Sequence, residues 1–211
     1  MVRKVAATMV LAITLMVGGA LTQAQVAKGL LDPNIATEQE LGTVPHLTPA
    51  IAKAVVGKRP FLSATDFAAF LTTQGLTAEQ RTEVYRKAFV HINLNTATAS
   101  EIMLIPGAGK RMAHEFDEYR PWKSFAQFDK EIGKYVNAAE VERLKSYTFI
   151  PLNPNSASDA DFMTIPGVGA RMVHEFKEYR PWKSQQQFEK EIGKYVNERE
   201  VARLWRYMAL Q

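Results

Sequence analysis

Ile105-Pro106-Gly107-Ala108-Gly109 recurs 60 residues later as Ile165-Pro166-Gly167-Val168-Gly169. The match extends in both directions. Upstream, Asn93-Leu94-Asn95-Thr96-Ala97 returns as Asn153-Pro154-Asn155-Ser156-Ala157. Downstream, His114-Glu115-Phe116 returns as His174-Glu175-Phe176, Tyr119 to Ser124 as Tyr179 to Ser184, and Glu131 to Asn137 as Glu191 to Asn197. Self-similarity at one fixed period over this length marks two copies of a single structural unit. A more diverged copy lies upstream, where Asn34-Ile35-Ala36 aligns with Asn95-Thr96-Ala97 and Lys58-Arg59-Pro60-Phe61 with Tyr119-Arg120-Pro121-Trp122. Its turn reads Val44-Pro45-His46-Leu47-Thr48, and both glycines are missing. The expected units are therefore 26 to 90, which is degenerate, 91 to 150 and 151 to 211. Short apolar joints, Phe89-Val90-His91-Ile92 and Phe149-Ile150-Pro151-Leu152, connect them.

Within a unit the signals are helical. Thr96 or Ser100 is placed to cap a short helix through Leu104, with Glu101 in its first turn. The Pro-Gly-x-Gly turn ends it, and Met112, Ala113, Phe116 and Tyr119 recur at helical spacing over about 110 to 119. Pro121 stops that helix, because proline disfavours the helical conformation in the residue before it. A third helix is expected over 125 to 134 and a fourth from Asn137, whose counterparts are Thr77 and Asn197. Strand signals are absent, so the expected class is all-α, built of tandem repeats.

The N-terminus carries an address. Arg3 and Lys4 precede an apolar run from Val5 to Ala20 that only Thr8 and Thr14 interrupt, the layout of a secretory signal peptide. Thr22-Gln23-Ala24 suits cleavage before Gln25, giving a signal segment of 1 to 24, and Gly18-Gly19-Ala20 is a second candidate. The expected location is the periplasm or outside the cell. Membrane attachment follows only if the segment stays uncleaved, and the run is short against the roughly 20 apolar residues of a spanning helix. The chain has 26 Lys and Arg against 22 Asp and Glu, and losing Arg3 and Lys4 leaves 24 against 22. Net charge thus says little about nucleic acid, and local placement must carry the case. With no cysteine, disulfides, thiolate metal sites and a cysteine nucleophile are excluded.

The turn itself suggests chemistry. Gly107 and Gly109, with Gly167 and Gly169, let the backbone approach another molecule closely. Amides opening directly into a helix N-terminus suit a phosphate. Lys110 and Arg111 add charge there, as does Arg171 in the last unit, where Ala170 replaces the lysine. Against this, residues 91 to 150 hold eight basic and eight acidic side chains, and Glu115, Asp117 and Glu118 share a helix with Lys110 and Arg111. Trp122 and Trp182 could serve as stacking platforms, but Phe61 at the matching place favours packing. His114 and His174 lack the second ligand that a helical zinc site would need. No nucleotide-binding loop, catalytic carboxylate pair or Ser/His/Asp arrangement appears, and the expectation is that the chain is not an enzyme.

These residues resemble the helix-hairpin-helix domains of exported DNA-uptake proteins of the ComEA competence type. The shared pattern is Asn-x-Asn-x-Ala, Pro-Gly-x-Gly and a helix ending in Tyr-Arg. It is carried by Asn93, Asn95, Ala97, Pro106, Gly107, Gly109, Tyr119 and Arg120 and by their counterparts from Asn153 to Arg180. The resemblance implies sequence-independent binding to the backbone of double-stranded DNA through turn amides, and in some members a monovalent cation on turn carbonyls; no other cofactor and no small-molecule substrate is expected. Two departures are evident: Ile132 to Asn137 and Ile192 to Asn197 replace a second glycine turn, and the first unit lacks both glycines of its hairpin. The fold also serves as a protein-docking module, as in the extrinsic photosystem II subunit U, so docking to a periplasmic protein partner is the alternative function.

Overall fold

The structure, a computed structural model, describes residues 29–210, so the expected signal peptide lies outside the described residues. The chain is mostly helical. A first segment holds α1 (Glu38–Leu41), α2 (Pro49–Lys58), α3 (Ala64–Thr73) and α4 (Ala78–Tyr85). A second holds β1 (Ile92–Asn93), α5 (Ala99–Ile102), α6 (Lys110–Glu118), α7 (Phe125–Ile132) and α8 (Ala138–Lys145), closed by β2 (Thr148–Phe149). A third holds α9 (Asp159–Phe162), α10 (Ala170–Glu178), α11 (Gln185–Ile192) and α12 (Glu198–Trp205).

Side-chain caps set the helix starts. Thr98, rather than Thr96 or Ser100, caps α5, and Glu101 returns the bond to complete a capping box. Thr37 and Ser158 do the same for α1 and α9. Thr77, Asn137 and Asn197 cap α4, α8 and α12 where the sequence placed them.

The expectation of no strand is corrected. β1 and β2 pair in parallel, Ile92 with Thr148 and Asn93 with Phe149. Isolated parallel bridges join Leu31 to Ala88 and Leu152 to Met208. In each segment the first extended residues thus clasp the last, and the backbone groups of the apolar joints find partners there. Two residues are too few to show an alternating pattern, which is why periodicity missed them.

An asparagine then ties each segment across its middle. Asn95 donates from Nδ2 to the carbonyl of Trp122 at 3.0 Å and accepts the Trp122 amide on Oδ1 at 2.6 Å. Asn34 holds Phe61 and Asn155 holds Trp182 in the same way. The tryptophans are packing residues, not platforms: Trp122 is 1% and Trp182 2% exposed. Their Nε1 groups donate to the carbonyls of Phe116 and Phe176 at 2.8 and 2.7 Å. Among the described residues the buried apolar side chains form two clusters under the segments. Buried apolar residues from Leu30 to Tyr147 form one continuous cluster, with α3 packed on α5 and Phe89 edge-on to Tyr147, whereas Ala157 to Met208 form another.

Candidate nucleic-acid interface

The turn between α5 and α6 is shaped by a single left-handed residue. Gly107 has φ of 85°, a conformation that a side chain disfavours. Gly109 then stands extended at the N-cap of α6 with no side chain to close the cap. The first amides of a helix have no intrahelical acceptor, so those opening α6 are left to an outside acceptor. Lys110 and Arg111 are exposed at this end, and the Arg111 guanidinium lies 5.2 Å above the Tyr135 ring.

The acids of α6 do not crowd the turn. Glu115 is turned inward and only 6% exposed. Asp117 pairs with Arg120 at 2.7 Å, and Glu118 with His114 at 3.3 Å, both toward the far end of the helix. Tyr119 and Tyr135 bring their hydroxyls to 2.9 Å, and Tyr119, then Glu115, push the Tyr135 hydroxyl above its ordinary range.

One residue of this site escaped the sequence reading. Arg143 of α8 places Nη2 3.5 Å from where a side chain on Gly107 would begin. Glu140 holds it through two bonds of 2.7 and 2.6 Å and raises its pKa. The signal was present in the spacing Asn137, Glu140, Arg143 and its copy Asn197, Glu200, Arg203, but it read there as ordinary helix.

The third segment repeats the geometry in different surroundings. Gly167 has φ of 80°, Gly169 leaves α10 uncapped by any side chain, and Arg171 is exposed. Here, however, Ile35 of the first segment lies 3.0 Å from where a side chain on Gly167 would begin, and Arg203 is buried. The structure thus gathers Gly107, Gly109, Lys110 and Arg111 at one edge and Gly167, Gly169 and Arg171 at another.

The first segment forms its turn without glycine, because His46 takes φ of 66°. His46 and Glu83 occupy the places of Gly107 and Arg143, with Nε2 and Oε2 2.7 Å apart. Thr48 caps α2 with its side chain, and Pro49 at the helix start carries no amide proton. This turn offers an acid where the others offer a cation. Likewise, Asn137 caps α8 with its own oxygen, so the second turn of each later segment is closed by a side chain. Among the described residues no three His, Cys, Asp or Glu side chains form a metal-holding group.

No family model matches the chain, and no solved structure does. It is similar to the mouse endonuclease/exonuclease/phosphatase family domain-containing protein 1, at 24% identity over 159 residues. The human protein of that name is 23% identical over 159 residues. Each comparison covers 56% of this chain and 28% of the relative, so the chain spans little more than a quarter of those proteins. This corrects the expectation that the chain is not an enzyme. The relatives it matches are named for an enzyme family.

Proposed function

We propose that the chain is an exported tandem helix-hairpin-helix protein of three units, 26–90, 91–150 and 151–211, that binds the backbone of double-stranded DNA without reading its sequence. The observation that carries this reading is the turn at Gly107. A helix opens there with no side chain closing its amides, and Lys110, Arg111 and Arg143 stand around it while the nearby acids are paired or turned inward. Such an opening suits a phosphate oxygen by hydrogen bonding and by the helix dipole together. The clasp at the ends of each segment supports the division into units. The relatives' name, endonuclease/exonuclease/phosphatase family, includes nucleic acid among its ligand classes, which supports the reading.

The test is binding of the chain from Gln25 onward to labelled double-stranded DNA over a range of salt. With about two phosphates engaged at this turn, log affinity falls against log salt with a slope of roughly −2. Lys110→Glu with Arg111→Glu abolishes that dependence. No binding by the parent chain at low salt retires the DNA reading.

A second reading, protein docking, is favoured by one observation: the turn at Gly167 already receives a protein side chain, Ile35. A turn that only docks protein leaves DNA unbound at every salt concentration.

A further inference from the structure

The seam between the first and third segments is built of charge. Asp32, at 1% exposure, accepts the Asn34 amide on Oδ1 at 2.8 Å. Its Oδ2 has no hydrogen bond and faces Nδ1 of His91 at 3.6 Å. From the third segment, Arg206 donates to the His91 carbonyl at 2.9 Å, and Arg199 donates to the Lys58 carbonyl. Arg203 is 2% exposed and held by Glu200, yet its Nη1 has no hydrogen-bond partner, and neither do Nη1 of Arg206 and the hydroxyl of Tyr207. Burial alone would raise the Asp32 carboxyl, but His91, the Asn34 amide and Arg203 hold it below its ordinary value.

Two features set this seam apart from a permanent core. A buried polar network that is only partly hydrogen-bonded is a costly way to join two bodies, so the contact stands nearer to opening than an apolar one. Moreover, the charge on Asp32 is not needed for its local turn. Asn93 and Asn153 occupy the same place in the other segments and accept the amide two residues on with a neutral oxygen, each at 2.9 Å. The extra charge faces His91, whose carbonyl in turn accepts from Arg206 of the third segment.

We infer that Asp32, acting through His91, is the charged half of a latch that holds the third unit on the first with Ile35 against one side of the exposed Gly167 turn, and that releasing it withdraws Ile35 and lets this turn approach the same phosphate backbone as the Gly107 turn. The second half of this inference rests on the DNA reading; the first does not. The chain has no cysteine, so spin labels on Leu62→Cys and Met163→Cys, both exposed and one in each segment, report the separation directly.

In the otherwise unchanged chain the label distance is single and narrow. Asp32→Asn, which keeps the turn, broadens and lengthens it while helicity is retained. An unchanged distance overturns the latch whatever the chain does with DNA. Should Asp32→Asn lose helicity, Arg199→Ala is measured instead, because that exposed side chain reaches the Lys58 carbonyl without entering a core. The DNA arm uses chains already carrying Lys110→Glu and Arg111→Glu. A latch closed in nine molecules of ten yields an affinity gain on the order of tenfold when opened. Separation without that gain overturns the masking of the Gly167 turn, while binding at the Gly107 turn is judged on its own variant.

Discussion

Residues 91–150 and 151–211 are two copies of one sequence pattern, yet the same arginine is 34% exposed by side chain as Arg143 and 2% as Arg203. Both sit beside a left-handed glycine, and both are held by a glutamate three residues earlier. What differs is the neighbour. The second segment shares its core with the first and leaves its turn open, whereas the third keeps its own core and places its turn against Ile35. Local sequence therefore builds the turn, and packing between segments decides what the turn meets.

The largest expected effects test the two cores. Trp122→Ala and Trp182→Ala each remove a buried indole and one hydrogen bond to a helix carbonyl, at a cost of about 3–5 kcal/mol. Their reach should differ. Trp122 belongs to the cluster shared by the first two segments, so hydrogen exchange in Trp122→Ala accelerates across 30–149; in Trp182→Ala it accelerates in 152–209 alone. Identical exchange patterns would break the comparison.

Next come the cations. Lys110→Glu with Arg111→Glu is expected to lower DNA affinity by about a hundredfold at low salt, two contacts at roughly tenfold each, and to flatten the salt slope. Arg171→Glu is expected to cost threefold or less, on the order of 0.6 kcal/mol, because Ala170 leaves that turn one cation and Arg203 is withdrawn into the seam. Equal losses at the two turns, read by the same titration, would show that the seam does not distinguish them.

A smaller effect separates the glycines. Placing alanine at a left-handed position costs about 1 kcal/mol for the backbone alone. Gly107→Ala should cost little more, since its new methyl would meet the end of the Arg143 side chain at 3.5 Å. Gly167→Ala adds an approach of 3.0 Å to Ile35, so its urea midpoint should fall further. His46 indicates that the turn can hold a side chain when a neighbour such as Glu83 engages it.

The helix order and the turn residues were legible because each is a local signal: a capping side chain, a proline or a glycine. The clasping strands were not, since a two-residue ladder has no period. Nor was Arg143, whose partner at Gly107 is 36 residues away in sequence and meets it only through the packing of α8. The persistence of the first turn without glycine was equally hidden, because the His46–Glu83 contact spans 37 residues. The expectation about catalysis failed for a different reason: a motif absent from one chain says nothing about the proteins to which that chain is related.

The smallest effect is the pH response of the seam. Asp32 is faced by His91 from the joint, by Arg203 and Tyr207 from the third segment and by Arg59 from its own. Its carboxyl lies below the unfolded value of about 3.9 in the folded chain. A group shifted in that direction adds stability that is fully present above its unfolded pKa and is lost as the pH falls through the folded one. The label separation between positions 62 and 163 should therefore stay constant from neutral pH down to about 4 and lengthen below it. Asp32→Asn removes that acid limb. A separation that lengthens equally in both proteins would assign the acid response to other carboxylates and leave Asp32 a role in the charge of the seam alone.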